Sequence, residues 1–463
     1  MSRVVVIGGG PGGYEAALVG AQLGAEVTVV DSDGIGGSAV LTDCVPSKTL
    51  IATAELMTSV EESRQLGVRL PGHPGDLDAV ATVDLAAVNA RVRALAASQS
   101  ADIAGKLEAE GVTVVAGAGR LDGPTRVVAT TAGGEQVLEA DAVLLATGAQ
   151  PRILPTAKPD GDRILTWEQV YDLEELPSRL IVVGSGVTGA EFASAYNALG
   201  SDVVLVSSRD RVLPGEDAQA AEVLENVFTR RGMTVLSRSR AQTVSREGDG
   251  VIVTLADGRT VEGSHCLVAV GSVPNSSDLG LTEAGVATDA RGFIAVDRVS
   301  RTTAQGVYAA GDCTGVLMLA SVAAMQGRIA MWHALGDAVA PLDLRTVSSN
   351  VFTAPEIATV GWTQQAVDAG EIDAAGVMLP LAGNARAKMQ GLRDGFVKLF
   401  CRPGTGIIVG GVVVGPRASE LIHAVSLAVA GRLTVEDVAH AFTVYPSISG
   451  SIAEAARRLH THW

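Results

Sequence analysis

A strand, a glycine-rich turn, a helix and a second strand occur in order at the start of this chain of 463 residues. The β-branched run Arg3–Ile7 ends directly in six residues rich in glycine, 8–13. A helix is predicted over Tyr14–Leu23, and a second strand over Glu26–Val30 closes on Asp31. This order is that of a βαβ unit whose turn carries a GxGxxG motif, which is typical of domains that bind a dinucleotide.

Each glycine of this motif has a separate physical role. Gly8 permits a tight turn, Gly10 lets the backbone approach a pyrophosphate, and Gly13 lets the helix pack against the strand. Asp31 stands 23 positions after Gly8, where its carboxylate can accept a hydrogen bond from a ribose 2′-hydroxyl. A purely structural turn with Asp31 capping a strand is the weaker interpretation, because all the required parts occur in order.

The same unit returns later in the chain. Its motif glycines are Gly184, Gly186 and Gly189. The strand that follows closes on Ser207, again 23 positions after the first glycine, so the acidic residue is absent. An acid there would repel a 2′-phosphate, whereas Ser207, Ser208 and Arg209 could hold one, and the second unit is predicted to accept NADPH beside NADH. The alternative is that Arg209 is an ordinary solvated charge.

Composition excludes several classes of function. The formal net charge of -16 gives no basic surface for a phosphate backbone, so no nucleic-acid partner is expected. No long apolar stretch or N-terminal leader is recognised, which predicts a cytoplasmic protein without a stable membrane anchor. The cysteines, Cys44, Cys266, Cys313 and Cys401, are too scattered for a disulfide framework or a CxxC zinc site, and no metal is expected.

The pattern predicts an α/β protein with two Rossmann-like dinucleotide-binding domains and a C-terminal α+β dimerisation domain. A helical stretch is predicted from Ser47 to about Gly111, interrupted by the Pro/Gly segment 70–75. Prolines at 151 and 155 mark a crossing between domains, and alternating strands begin after about Thr346. The predicted boundaries are 1–149 and 272–345 for the first domain, 150–271 for the second, and 346–463 for the third.

Further motifs carry a resemblance over nearly the whole chain. They are Ala146-Thr147-Gly148, Gly311-Asp312, Phe352-Thr353-Ala354-Pro355-Glu356, Asn384-Ala385-Arg386-Ala387, Gly395-Phe396-Val397-Lys398 and Gly415-Pro416. Together with the two glycine motifs, their order resembles that of the flavoprotein disulfide reductases, the family of dihydrolipoamide dehydrogenase, glutathione reductase and mercuric reductase. The resemblance implies FAD, a nicotinamide nucleotide and a homodimer formed through the C-terminal domain.

The resemblance also assigns residues to each nucleotide. FAD contacts are expected from Gly8, Gly10, Gly13, Asp31, Gly37, Ser38, Lys48, Ala118, Thr147, Gly148, Asp312 and Ala320. In this assignment Asp312 holds the ribityl chain and Lys48 lies near flavin N5. NAD(P)H contacts are expected from Gly184, Gly186, Gly189, Glu191, Arg209 and Gly271, with Glu191 facing the nicotinamide.

Three parts of the family's thiol chemistry are replaced together. The redox segment of the family has the form GG-T-C-x4-C-x-P-S-K, and here it reads Gly36-Gly37-Ser38-Ala39-Val40-Leu41-Thr42-Asp43-Cys44-Val45-Pro46-Ser47-Lys48. Ala39 has replaced the first cysteine, so no disulfide can form with Cys44. Where the family places a partner-subunit histidine and glutamate, this chain has Tyr445 and Gly450. Cys44 is therefore interpreted as a small buried thiol beside the flavin.

These observations predict an NAD(P)H:quinone oxidoreductase of the diaphorase type, without disulfide reductase or lipoamide dehydrogenase activity. Lys48 and a turn at 321–324 are the candidates for tuning the flavin, although Lys48 could instead be a structural ion-pair partner. Tyr445 could line a quinone pocket or donate a proton across the dimer interface. The alternatives are a soluble pyridine nucleotide transhydrogenase and a catalytically silent FAD-binding redox sensor.

Overall fold

A computed structural model describes residues 1–68 and 81–460 of the chain. The predicted Pro/Gly segment 70–75 lies outside the described residues. Two compact units are present. The first comprises Met1–Thr49, Asn89–Arg152 and Gly271–Asp343, and the second comprises Leu50–Val88, Ile153–Val270 and Leu344–Trp463.

The helices follow in chain order. They are α1 (Pro11–Gln22), α2 (Gly37–Leu41), α3 (Cys44–Glu62), α4 (Leu85–Ala109), α5 (Val187–Leu199), α6 (Ala218–Arg230), α7 (Ala320–Ala334), α8 (Gln364–Asp368), α9 (Ala385–Met389), α10 (Ala418–Ala430), α11 (Val435–His440) and α12 (Gly450–His460). Among the described residues, no helix is both long and apolar enough to cross a membrane.

The strands are β1 (Arg3–Ile7), β2 (Glu26–Asp31), β3 (Thr113–Ala116), β4 (Ala118–Leu121), β5 (Arg126–Thr131), β6 (Gly134–Glu139), β7 (Ala142–Leu145), β8 (Ala149–Pro151), β9 (Ile164–Leu165), β10 (Arg179–Val183), β11 (Asp202–Val206), β12 (Thr234–Leu236), β13 (Ala241–Glu247), β14 (Gly250–Leu255), β15 (Thr260–Gly263), β16 (His265–Val268), β17 (Ser272–Pro274), β18 (Val307–Ala309), β19 (Ser348–Val351), β20 (Glu356–Gly361), β21 (Ala375–Pro380), β22 (Phe396–Cys401) and β23 (Ile408–Gly415).

The first unit is organised around a parallel sheet of order β18-β7-β1-β2-β3. Val6 of β1 pairs with Val29 of β2 and with Leu144 of β7, and all three side chains are buried. Such apolar runs are expected of a parallel sheet that is covered on both faces. An antiparallel sheet, β4-β5-β6, and the pair β17-β8 complete the unit. Because the strands are parallel, the loops after β1, β7 and β18 emerge at one edge.

The second unit repeats this design with a parallel sheet of order β12-β11-β10-β16-β9, joined by the antiparallel sheet β13-β14-β15. Its C-terminal part is an antiparallel sheet of order β19-β20-β23-β22-β21. Helices α10 and α12 contribute Ile422, Val425 and Ile452 to the apolar core beside that sheet. The predicted α/β class with two dinucleotide-binding folds and a C-terminal α+β domain is confirmed.

One local prediction is wrong. Residues 321–324 were expected to form a turn, but they lie in the first turns of α7, which begins at Ala320. Alanine is the best helix former, and this segment contains neither glycine nor proline that would stop the helix. The residue at the N-cap, Leu319, makes no side-chain cap, so the usual sequence signal for a helix start is missing.

Candidate functional site

Two glycines of the first motif are required by the backbone itself. Gly8 has a φ of 103°, and a Cβ there would lie 2.3 Å from the carbonyl oxygen of Ala146. A Cβ on Gly13 would lie 1.9 Å from the carbonyl oxygen of Gly8. By contrast, the nearest atom to a Cβ on Gly10 would be the Cα of Gly37, at 3.9 Å. The motif therefore leaves open space above Gly10, where a pyrophosphate could approach the backbone.

Asp31 is held by backbone donors of the same site. Its Oδ2 accepts a hydrogen bond from the Gly9 amide at 2.6 Å, and its Oδ1 accepts from the Asp33 and Gly34 amides at 2.9 and 2.5 Å. The side chain stays partly exposed at the carboxyl end of β2. It is therefore fixed in place while retaining acceptor capacity for a ribose hydroxyl.

The segment after β2 packs directly on the motif. Gly36 donates its amide to the Gly9 carbonyl at 2.8 Å. Gly37 has a φ of 57°, and a Cβ on it would lie 2.7 Å from the Cα of Gly10. Ser38 follows with an exposed side chain. The structure thus brings Gly10, Gly37 and Ser38 together around one loop. Ala118 is the first residue of β4. It directly follows Gly117, whose amide donates a hydrogen bond to the Asp31 carbonyl at 2.9 Å.

Thr147 and Gly148 are held in place by Asn275, which follows β17. Thr147 donates its hydroxyl to the Asn275 carbonyl at 2.6 Å, and the Asn275 amide nitrogen Nδ2 donates to the Thr147 carbonyl at 3.0 Å. The Asn275 backbone amide also donates to the Gly148 carbonyl at 3.0 Å. Gly148 has a φ of 69°, which favours glycine. Gly271, whose carbonyl accepts from the Arg152 amide at 2.9 Å, directly precedes β17.

Asp312 lies in a short 3₁₀ turn that follows β18. Burial, and to a lesser extent the Asp43 carboxylate, raise its pKa to about 6. Ala320, the first residue of α7, lies eight positions further along the chain. A largely buried carboxylate is suited to accept hydrogen bonds from a polyhydroxyl chain.

Two residues of α7 that sequence reasoning missed position this turn. Gln326 is buried, and its Oε1 accepts a hydrogen bond from the Gly311 amide at 2.9 Å. At Gly327 a Cβ would lie 2.1 Å from the carbonyl oxygen of Gly12, so α7 packs closely against α1. The available signal was an amide followed by glycine in a helix whose first half is otherwise mostly small and apolar.

The redox segment of the sequence occupies α2 and the start of α3. Ala39 lies within α2, and Cys44 is the half-buried first residue of α3. The Ser47 hydroxyl lies 3.4 Å from the Cys44 carbonyl oxygen and 3.3 Å from Lys48 Nζ. Lys48 is half-buried one turn into α3. A methyl group at position 39 leaves Cys44 without the sulfur with which the family pattern pairs it.

The second glycine motif repeats the geometry of the first. Gly184 has a φ of 114°, and a Cβ there would lie 2.1 Å from the Ala269 carbonyl oxygen. A Cβ on Gly189 would lie 1.9 Å from the Gly184 carbonyl oxygen. Gly186 is exposed, and a Cβ on it would meet no protein atom within 4 Å. Space for a pyrophosphate is therefore present at the corresponding glycine of both motifs.

Ser207 does not reach outward as a phosphate ligand would. Its side chain is fully buried, its Oγ lies 2.7 Å from Ser185 Oγ, and it accepts from the Arg209 amide at 3.1 Å. Ser207 thus braces the glycine loop, much as Asp31 does in the first unit, but without the charge. The predicted 2′-phosphate contact from this hydroxyl would therefore have to replace these internal hydrogen bonds. Ser208 and Arg209 are exposed at the end of β11.

Glu191 is buried near the start of α5, with 4% of its surface exposed. Its Oε1 accepts a hydrogen bond from the Phe352 amide at 2.8 Å. Ser194, on the same helix, accepts from the Ala354 amide at 3.1 Å. Glu191 therefore anchors the strand-to-turn segment that opens the C-terminal part of the chain.

Tyr445 lies on a protruding loop between α11 and α12. Its side chain is 85% exposed, and those of Phe442 and Val444 are also fully or largely exposed. Asn384 secures the base of the loop by donating to the Ser447 carbonyl at 3.0 Å. A cavity of about 330 Å³ is lined in part by Tyr445 and Asn384. Exposed apolar side chains grouped in this way are typical of an interaction surface.

In the part of the chain that the structure describes, no cluster of three or more His, Cys, Asp or Glu side chains could hold a metal ion.

The buried thiols of Cys266, Cys313 and Cys401 have raised pKa values, because burial disfavours the thiolate.

Comparison with known proteins gives consistent matches. Residues 2–327 match the pyridine nucleotide-disulphide oxidoreductase family, and residues 347–456 match its dimerisation domain. The chain is 57% identical to an NAD(P)H dehydrogenase (quinone) of Mycobacterium tuberculosis, with 100% of this chain and 94% of the relative covered. It is 33% identical to a dihydrolipoyl dehydrogenase of Zymomonas mobilis, with 98% and 96% covered.

A solved structure, that of LpdA from Mycobacterium tuberculosis, superposes with a TM-score of 0.94 at 56% identity and covers 99% of this chain and 100% of that one. The resemblance drawn from the motifs is therefore confirmed. This chain belongs to the pyridine nucleotide-disulphide oxidoreductase family.

Proposed function

We propose that this protein is an FAD-dependent NAD(P)H:quinone oxidoreductase without disulfide reductase activity. The observation that carries the proposal is the full-length match, at 57% identity, to an NAD(P)H dehydrogenase (quinone). The sequence adds an independent argument, because Ala39 takes the place of the cysteine that a disulfide reductase needs.

FAD fits the first unit. The open space above Gly10, the fixed carboxylate of Asp31 and the desolvated carboxyl of Asp312 match a pyrophosphate, a ribose and a ribityl chain respectively. Bound FAD would supply the redox chemistry, accepting a hydride from NAD(P)H and delivering two electrons to a quinone. Gly37, Ser38, Ala118, Thr147, Gly148 and Ala320 complete the proposed set of FAD contacts.

Two groups of the first unit would tune the flavin. The first is the N-terminus of α7, which includes residues 321–324 and presents backbone N–H groups that stabilise negative charge. The Lys48 ammonium, one turn into α3, provides a positive charge on the same unit. Both would favour an anionic form of the cofactor over its neutral form.

NAD(P)H fits the glycine motif of the second unit. Gly186 leaves the backbone open to a pyrophosphate, and the exposed Arg209 follows β11, where an adenosine ribose would lie. No carboxylate stands at position 207 to repel a 2′-phosphate. We therefore propose that both NADPH and NADH are accepted. Glu191, whose Oε1 accepts from the Phe352 amide at 2.8 Å, completes the proposed set on this unit.

A second copy of the chain is the proposed partner. The dimerisation domain spans residues 347–456 and includes the exposed loop with Phe442 and Tyr445. By the family pattern, this loop would enter the partner's site in place of a histidine and glutamate pair. The Tyr445 phenol could line a quinone pocket or donate a proton to a quinone oxygen, but it is a poor substitute for that pair in thiol acid–base chemistry.

Steady-state oxidation of NADPH by the holoenzyme tests the proposal. Turnover is expected with menadione and not with lipoamide or oxidised glutathione. Lipoamide turnover would contradict the reasoning about Ala39. Rapid NADPH-driven reduction of thio-NAD⁺ in the absence of menadione turnover would favour a transhydrogenase, and failure of either nucleotide to reduce the flavin would favour a catalytically silent redox sensor.

A further inference from the structure

The loops that follow two neighbouring parallel strands, β11 and β12, are joined by backbone hydrogen bonds. The Arg238 amide donates to the Arg209 carbonyl at 2.7 Å, and the Ser239 amide donates to the Ser207 carbonyl at 2.7 Å. The strands themselves pair Val206 with Leu236. Two arginines that are far apart in sequence are thus adjacent at the carboxyl edge of this sheet.

Arg238 has a left-handed backbone, with a φ of 53°. Such a conformation costs a non-glycine residue on the order of 1 kcal/mol, and glycine or asparagine would occupy it more readily. The side chain is exposed. Across residues 1–68 and 81–460, neither Arg238 nor Arg209 makes an ion pair, so the local fold does not use either charge.

The charge around these loops favours an anion. Arg211 is the third arginine of the group, and its Nε is buried without a hydrogen-bond partner. Two carboxylates oppose the three cations in part: Asp210 is exposed in the same loop, and Glu225 Oε1 accepts from the Val212 amide at 2.6 Å. In a chain of net charge -16, a local excess of arginine is suited to bind an anion such as phosphate. Guanidinium groups match the oxygen geometry of phosphate.

The position of the loops relative to the glycine motif indicates which phosphate of a nucleotide would lie there. The Leu213 amide donates to the Ser185 carbonyl at 2.8 Å, and Ser207 Oγ lies 2.7 Å from Ser185 Oγ. Ser185 belongs to the glycine motif, so the arginine loop packs against the turn that would hold the pyrophosphate. The end of the second strand of such a unit is where the adenosine ribose 2′ position lies.

We propose that Arg238 is a specificity-determining residue that binds the 2′-phosphate of NADPH together with Arg209. The inference rests on the proposed function, because it assumes that the second unit binds a nicotinamide nucleotide. It adds to that function a ligand from β12, a strand that the glycine motif does not include. Discrimination between NADPH and NADH then depends on two loops that are held in register by their own backbone.

The test compares R238N with R240N in the FAD-loaded enzyme. Asparagine tolerates the left-handed backbone at position 238, so R238N is expected to fold. Arg240 is exposed two residues later, where its carbonyl accepts from the Ala256 amide at 2.8 Å, and R240N makes the same change of charge in the same segment. Binding of 2′,5′-ADP and of 5′-AMP is measured by titration calorimetry, independently of any quinone.

R238N is expected to weaken binding of 2′,5′-ADP by about tenfold, the factor that corresponds to about 1.4 kcal/mol, and to leave 5′-AMP binding unchanged. R240N is expected to change neither. Equal affinity of wild type and R238N for 2′,5′-ADP, or an equal loss in R240N, would overturn the role of Arg238. If the wild-type enzyme binds neither probe while it reduces menadione with NADH, the role of Arg238 is likewise overturned but the reductase function stands.

Discussion

A methyl group on Gly186 is expected to damage nucleotide binding without damaging the fold. The residue has φ of −73° and ψ of −172°, an extended backbone that alanine adopts without strain. A Cβ there meets no protein atom within 4 Å, whereas one on Gly189 would lie 1.9 Å from the Gly184 carbonyl oxygen. The fold therefore requires glycine at position 189 but not at 186, and a pyrophosphate that approaches the backbone would account for the glycine at 186.

The expected size of the effect follows from overpacking. Forcing a methyl group into a closely packed contact costs about 1–3 kcal/mol, which corresponds to roughly 5- to 150-fold weaker binding. G186A should raise the KM for both NADH and NADPH by that factor in menadione reduction, while FAD content and Tm stay at wild-type values. G215A is the matched control, because a Cβ on Gly215 also meets open space in the same unit. Unchanged KM values in G186A would refute the placement of the pyrophosphate at this loop.

Three further changes probe other parts of the account. Lys398 and Asp217 form an ion pair at 2.6 Å with 3% of each side chain exposed, so K398M should lower the unfolding free energy by about 3–5 kcal/mol in urea denaturation, and K398M/D217N should recover part of that loss. Burial raises the pKa of Asp312 to about 6 in the folded apoprotein, so the protonated carboxyl favours folding. The protonated carboxyl contributes about 3 kcal/mol at most to the free energy of unfolding. This contribution is fully present below a pH of about 4 and is lost as the pH rises through 6. D312N apoprotein should therefore melt at a higher temperature than wild type at pH 7.5 but not at pH 4.5, and equal differences at both pH values would contradict this. Y445F should lower menadione turnover by about tenfold or more if the phenol donates a proton, with flavin reduction by NADPH unchanged, and wild-type turnover would remove the proton-donor role.

The glycine motifs were predictable because they are local. The run Arg3–Ile7 was predicted as a strand and forms β1 with those bounds, since β-branched residues and the glycines that follow act within a few positions. Phe396–Phe400 was likewise predicted and lies in β22. The helix at Ala320 was missed because its start carries no capping side chain.

Other parts of the site depend on contacts between distant segments. Ser207 was interpreted from its position alone, but its burial depends on Ser185 and on the neighbouring strand. The approach of Arg238 to Arg209 follows from the parallel pairing of β11 with β12, which no local pattern encodes. Gln326 acts on Gly311 through the packing of α7. Sequence thus located the nucleotide-binding turns, and tertiary pairing determined which side chains surround them.

Rapid mixing under anaerobic conditions tests the central proposal most directly. The bound flavin is reduced with a slight excess of NADPH and mixed with menadione, and the absorbance of oxidised flavin is followed in time. Recovery of that absorbance at a rate at least equal to steady-state turnover is the predicted result. A flavin that NADPH reduces readily but that stays reduced in the presence of menadione would contradict the assignment as a quinone reductase.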